Sequence, residues 1–459
     1  MPSLRRIGRG APLSALLLAL ALASCGTSTD RAFTGPAGNC GPAGCPDAGP
    51  GFGECTNGLK CNVHACTGGT TTRLLGRVFD PSGTAPVYNA IVYVPNRKPA
   101  EIVRGATCDR CAETVFDPVP RAVLTNENGE FSIDGVPDGD EVPLVFQIGK
   151  WRRQISVKVT ACTDNRFDDP ALMHLPRKQS EGDMPQIAVV TGGCDPLGCL
   201  FSRMGIDDSE LTDAKGPGRI HVYKGFGGEG VVSGTATPEE TDLWASPEQL
   251  AKYDMVMLAC ECKEHDELKN DAAKLAMMAY LDRGGRVFAT HYHYTWLKNG
   301  PAPLASLADW GVSPASSLGT TYDIDQSFPK GAAMAQWLTN AGASTTPGTI
   351  DIKVPVEHLR GVKPGAQRWI YRGDGADEQV KFFSFNTPVG APPEAQCGRG
   401  VLSDIHVSDG DGTGAPPNAL MPASCVKEPL SARERALEFL MFDLSSCIQA
   451  DELAPVPPR

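Results

Sequence analysis

Sixteen cysteines in 459 residues constrain this chain more than any other feature, because their fate depends on where the chain is delivered. Arg5, Arg6 and Arg9 precede the run "APLSALLLALALASC". A basic start, a short apolar stretch and small residues before a break are the layout of a secretory signal. The run is too short and wrongly flanked to span a membrane, and no later stretch approaches ~20 uninterrupted apolar residues. An exported chain meets an oxidising compartment, where cysteines cross-link. Disulfides are therefore expected to shape the fold.

"LASC" at Leu22–Cys25 resembles the bacterial lipobox. The resemblance implies a signal peptide over residues 1–24, with acyl chains on the thiol and amine of Cys25. Gly26, where Asp would stand for inner-membrane retention, points in that family to the outer membrane. Several acyl chains at one end anchor a protein without spanning, so the membrane is expected to be a partner through Cys25. Loss of residues 1–24 removes three arginines and no acid, which takes the formal charge from −12 to −15. That acidity excludes nucleic acid as a main partner. Fifteen cysteines remain, an odd number, so one thiol is expected to be free, metal-bound or paired outside the chain.

Residues 25–70 are rich in Gly, Pro, Ser, Thr and Cys and poor in large apolar residues, which suits a tether. Cys40, Cys45, Cys55, Cys61 and Cys66 could close a disulfide knot, or bind zinc with His64. Over 71–162 the pattern changes. "RLLGRVFD" and "NAIVYVP" alternate in the manner of strands, and "VPLVFQIG" and "RQISVKV" follow. Short strands between turn signals indicate a β-sandwich. Gly76, Val78, Asp80, Gly83 and Pro86, then Thr125, Asn128, Gly129, Phe131, Gly135 and Val136, resemble the carboxypeptidase regulatory-like (transthyretin-like) domain. That family implies a spacer or binding module. An insertion near 97–121 departs from it and carries Cys108 and Cys111, which are expected in a structural disulfide, with Cys162 a candidate partner.

A polar linker is expected over 163–185, and an α/β flavodoxin-like domain over 186–448, before a tail at 449–459. "QIAVVTG", "RIHVYKG", "YDMVMLAC" and "GRVFATH" are apolar strands separated by helical stretches, the signature of a mostly parallel sheet covered on both faces. "WIYRG", "VKFFSFN" and "RGVLSDIHVS" add strands. Leu268, Ala272, Leu275 and Ala279 suggest the buried face of one helix. Ser431 and Glu434 form a capping box that opens another, with Leu437, Leu440, Met441 and Leu444 on one face.

"DRGGRVFATHYHY" and "CGRGVLSDIHVSDG" are similar to features of the class I glutamine amidotransferase-like fold, in its trehalose-utilisation (ThuA-like) branch. The resemblance implies that His291 stands at the turn of the family's cysteine nucleophile, and His406 near its general base. The G-x-C-x-G elbow is absent, so amidotransferase chemistry has no nucleophile. Ligands bind beyond the carboxyl ends of parallel strands, which nominates His291, His293, Asp404 and His406 as a binding or metal cluster. Imidazole and carboxylate suit a divalent ion such as zinc, nickel or iron. Alternatively, Tyr292, Tyr294 and Trp296 pack a loop and the histidines merely hydrogen-bond. Cys194, Cys199, Cys260 and Cys262 are expected in disulfides at the same edge. "DGDGTG" at 409–414 lacks EF-hand spacing and reads as a turn.

The expected protein is a lipid-anchored component of the cell envelope that binds a glycan or protein. A hydrolase acting on a carbohydrate or amide at the His-lined edge is the alternative, and a purely structural envelope component the third. Cys25→Ser is expected to move the chain from the membrane fraction to the soluble one, or to leave the precursor uncut. Fractionation with mass spectrometry checks this, and an acylated mutant cleaved before residue 25 would overturn the anchor.

Overall fold

In a computed structural model the chain divides into two units, Met1–Gly53 and Glu54–Arg459. The structure describes residues 58–458 apart from 112–116, 233–235, 312–319, 353–357 and 407–419. Cys25, Cys40, Cys45, Cys55 and the 409–414 turn therefore lie outside the described residues. No helix among the described residues is long and apolar enough to cross a membrane.

The alternating segments after Arg73 form two small sheets. Arg73–Arg77 lies between Glu130–Asp134 and Asp164–Phe167, and a second sheet runs Val123–Leu124, Ile91–Tyr93, Gly139–Ile148, Trp151–Val159. Turn chemistry sets the hairpins. Asn126 accepts the backbone N–H groups of Asn128 and Glu130, and Gly129 takes φ +72°. A residue with a Cβ would be strained there.

Three expectations need correction in this region. The polar linker is packed structure: Asp164–Phe167 pairs parallel with Arg73–Arg77, and Met173 and Leu175 are wholly buried. A strand beside another is held by backbone hydrogen bonds, which its polar side chains do not reveal. Cys162 bonds Cys66, so the end of the expected tether is fastened to the body. His64 pairs with Asp138. The insertion's cysteines reach distant partners, Cys108 to Cys397 and Cys111 to Cys447, across 289 and 336 residues.

The large sheet has ten strands in the order Thr349–Asp351, Thr321–Ile324, Ala366–Arg372, Gln379–Thr387, Gly398–Ser403, Arg286–Thr290, Met255–Leu258, Ile187–Thr191, Ile220–Lys224, Leu211–Asp213. The six from Gly398–Ser403 onward are mutually parallel. The other four join antiparallel. The sheet is thus mixed, with its larger part parallel. Ala366–Arg372 and Gln379–Thr387 are joined by a link too short for a crossover, which forces the antiparallel sense.

Both faces of this sheet are buried. Val189, Val222, Met257 and Phe288 join one apolar cluster, and Val190, Tyr223, Leu258 and Ala289 join the other, as the two-residue period of a strand requires. The first cluster also takes in Leu74, Ile133, Leu144 and Phe146 of the small sheets. The helix Asp271–Asp282 buries Ala273, Ala276, Met277, Tyr280 and Leu281, whereas Leu275 is 54% exposed. The apolar face expected through Leu275 is therefore displaced by one residue. The capping box of Ser431 and Glu434 starts the helix Ala432–Ser445, which buries Leu437, Leu440, Met441 and Leu444.

His174 shows how the former linker is held. Its Nε2 accepts from Arg153, and its Nδ1–H donates to the Leu175 carbonyl, which uses the neutral ring fully. Burial pushes its pKa down, and Arg153 adds to that. The unfolded ring takes a proton near 6.5 where the folded ring does not, so stability is full above that pH and lost as pH falls below it. The urea midpoint is expected to drop between about pH 7 and pH 5. His174→Gln should lower the midpoint at pH 7 and flatten this dependence.

Candidate functional site

Strand register assembles a cluster of donors at one edge. Thr290 pairs with Ser403, the last residues of adjacent parallel strands. His291 and Asp404 therefore leave the sheet side by side. Leu258 pairs with Ala289, so Cys260, two residues on, comes level with His291. The carboxyl ends of three neighbouring strands thus deliver a thiol, an imidazole and a carboxylate to one place.

The turn itself is held by a buried network. Thr290 donates its hydroxyl to Asp195 at 2.8 Å and accepts the Cys260 N–H at 2.9 Å. His291 follows with φ +41°, a left-handed conformation that few side chains adopt. Such strain costs on the order of 1–3 kcal/mol and persists only where the surroundings impose it.

His291 Nδ1 lies 2.7 Å from His406 Nε2 and 3.2 Å from Cys260 Sγ. Donor atoms of Cys260, His291 and His406 all fall within 4.8 Å of one another, as do those of His291, His358 and Asp404. Cys260 is the free cysteine among the described residues. His291 Nε2 is buried without a hydrogen-bond partner. Asp404 accepts the backbone N–H of His358 at 2.9 Å and stands 3.7 Å from the wholly buried Lys381.

Burial dominates the electrostatics. It pushes the His291 pKa down to about 3, with Asp404 opposing and His406, His358 and Lys381 adding to the shift. The His406 pKa also falls, through burial and then Arg433. Both rings are neutral at ordinary pH, the state in which imidazole binds metals. Burial, then Asp195, pushes the Cys260 thiol up to about 12. Burial opposes ionisation of Asp404, but Lys381, His358 and His291 together hold its carboxyl below the usual range.

The structure sorts the expected site residues. His291, His406 and Asp404 come together. His293 does not join them: its Nε2–H donates to the Ala259 carbonyl and its Nδ1 accepts from Trp296, so both nitrogens are committed. Tyr294 and Trp296 are buried and pack the loop as the plain alternative had it. Cys194 bonds Cys262, tying the loops after two strands of this edge. Cys199 bonds Cys425. Cys260 was expected in a disulfide and is a thiol. The expectation of one leftover thiol rested on the expected lipid at Cys25 and named no particular cysteine. His358 was missed, because "EHLRG" carries no strand-end motif and only the fold brings it beside Asp404.

A separate cavity of about 270 Å³ lies between Ile91, Ile102, Leu124, Lys150, Cys447 and Pro455. It shares no residue with the cluster. No family model and no curated protein sequence matches the chain.

Thr290→Val keeps the shape of the turn but strips Asp195 and the Cys260 N–H of a partner. It is expected to cost about 1–3 kcal/mol, read as a lower urea midpoint. An unchanged midpoint would show that the network does not hold the turn.

Proposed function

We propose that this chain is an exported, lipid-anchored cell-envelope protein whose large body binds a transition-metal ion through Cys260, His291 and His406. One observation carries the metal reading: an unpaired thiol and two imidazoles converge within 4.8 Å at the ends of parallel strands. Thiolate and imidazole together select zinc, nickel, iron or copper over calcium or magnesium, which take oxygen donors. The basic leader and the "LASC" motif support the anchor.

In this reading residues 71–162 are a carboxypeptidase regulatory-like β-sandwich. The two small sheets sharing one apolar cluster support it. Residues 186–448 are a flavodoxin-like domain of amidotransferase-like layout, extended by four antiparallel strands; the six parallel strands support that. A glycan or protein ligand of the envelope rests on the resemblance of the first domain alone.

A second reading, metal-assisted hydrolysis of a carbohydrate or amide, draws on the His358 ring, whose Nδ1 stands 3.7 Å from Asp404. A carboxylate and an imidazole beside a metal can accept the proton of a bound water.

Elemental analysis of the purified full chain tests the main reading. About one transition-metal ion per chain is expected. His291→Ala should lose it while keeping the circular dichroism of the wild type. Metal-free wild type that also fails to take up zinc, nickel, iron or copper on titration would overturn the proposal.

A further inference from the structure

The donor set at the strand ends discriminates among the metals that could use it. We propose that Cys260, His291 and His406 form a copper site, in which one thiolate and two imidazoles hold the ion in a buried three-coordinate arrangement. The inference rests on the metal-binding reading and adds the identity of the ion.

Ligand chemistry is the first argument. Copper stands at the top of the affinity order for nitrogen and sulfur donors among first-row divalent metals. A trigonal set of one cysteine and two histidines is the arrangement proteins use for copper that cycles between two oxidation states. Zinc's structural sites are built from four protein side chains and its catalytic sites from three with a bound water, so zinc in this closed trio would need a fourth ligand. Here three donors share one trio, while His358 and Asp404 group with His291 in a second.

Burial and charge are the second argument. Cys260 is 0% exposed, His291 4% and His406 8%. A thiolate, two neutral imidazoles and Cu(I) sum to zero charge, whereas a divalent ion leaves one positive charge in a closed environment. Burying an unpaired charge is costly. Among the described residues, the Asp404 carboxylate stands 3.7 Å from the buried Lys381 cation.

Geometry is the third. Metal–nitrogen bonds of about 2.0 Å and metal–sulfur bonds of about 2.3 Å put neighbouring donors roughly 3.3–3.8 Å apart. The Cys260–His291 spacing of 3.2 Å is nearly that, and the His291–His406 spacing of 2.7 Å must open by less than about 1 Å. His358 and Asp404 flank the His291 ring, with donor atoms within 4.8 Å of its own.

Binding replaces the Cys260 S–H bond with an S–Cu bond, and the proton leaves to solvent. Oxidation of the thiol by Cu(II) would need two thiolates, each giving one electron to one Cu(II) as the S–S bond forms. Burial of Cys260 keeps the thiols of two chains apart.

The test is titration of the purified full chain in detergent, stripped of metal, with Cu(II) and separately with Cu(I) against a competing chelator. One copper per chain is expected, with an intense visible thiolate-to-Cu(II) charge-transfer band. Copper should outcompete zinc by at least about a hundredfold. Cys260→Ser should abolish the band, and His406→Gln should weaken copper by about 10- to 100-fold or more. Because Cys260→Ser could unfold the turn, the copper–zinc competition on unmodified protein stands as an independent readout. Stoichiometric zinc, with copper of neither oxidation state retained against the chelator, overturns the copper assignment and leaves the metal-binding reading intact. Binding of no metal overturns both. A copper band that survives in Cys260→Ser overturns the assigned ligands.

Discussion

The helix Ala432–Ser445 is the part on which the rest of the body closes. Phe439 stacks on Tyr88 at 5.8 Å and packs on Trp337 at 5.3 Å, while Phe442 meets the edge of Trp151. One helix thus touches both a small sheet and the large sheet's covering helix. The same helix carries charge into the core. Asp443 is gripped by Lys330 at 2.6 Å and Arg399 at 3.2 Å. Glu438 pairs with Arg435, yet burial and then Asp80 hold its carboxyl well above the usual range. Buried ions are tolerable only when paired, so these contacts allow few alternative seatings of the helix. Cys447, just beyond its end, extends the grip covalently to Cys111 of the insertion.

A core shared in this way makes the large sheet a rigid frame, and the donor cluster inherits that rigidity. Parallel strands end together, so their register sets the spacing of Cys260, His291 and Asp404 without help from any loop. The left-handed backbone at His291 then swings its ring toward His406 instead of continuing along the strand. Burial keeps the imidazoles neutral and the thiol protonated, which makes the corner a set of uncharged donors rather than an ion pair. The contrast with the neighbouring Glu261 and Lys269 is informative. That pair sits at 2.6 Å, wholly buried, and is satisfied within the protein.

Much of this was legible in the residues, and for stated reasons. Apolar runs bounded by glycine named the central strands, because a strand covered on both faces must be apolar throughout. The capping box at Ser431 named a helix start, because its two hydrogen bonds are local. The mistakes share one cause. The Asp164–Phe167 strand, the four antiparallel strands of the sheet and the exposed side chain of Leu275 depend on what lies across a sheet or over a helix. Such neighbours leave no mark on the local pattern.

The sequence by itself determined the strand segments and the polarity that sends His291 and Asp404 to the carboxyl ends of their strands. It could not say which cysteines pair and which stays a thiol. Disulfide pairing depends on which thiols the fold brings within reach, and Cys108 and Cys111 found partners across nearly the whole chain. Nor could it separate His291 from His293, two residues apart in the same motif. Tertiary structure decided that: the helical turn His291–Tyr294 points one ring at His406 and Cys260 and the other at Ala259 and Trp296. The physical reason is that a histidine's role is set by what its two nitrogens face, and those partners are distant in the chain and close only in the fold.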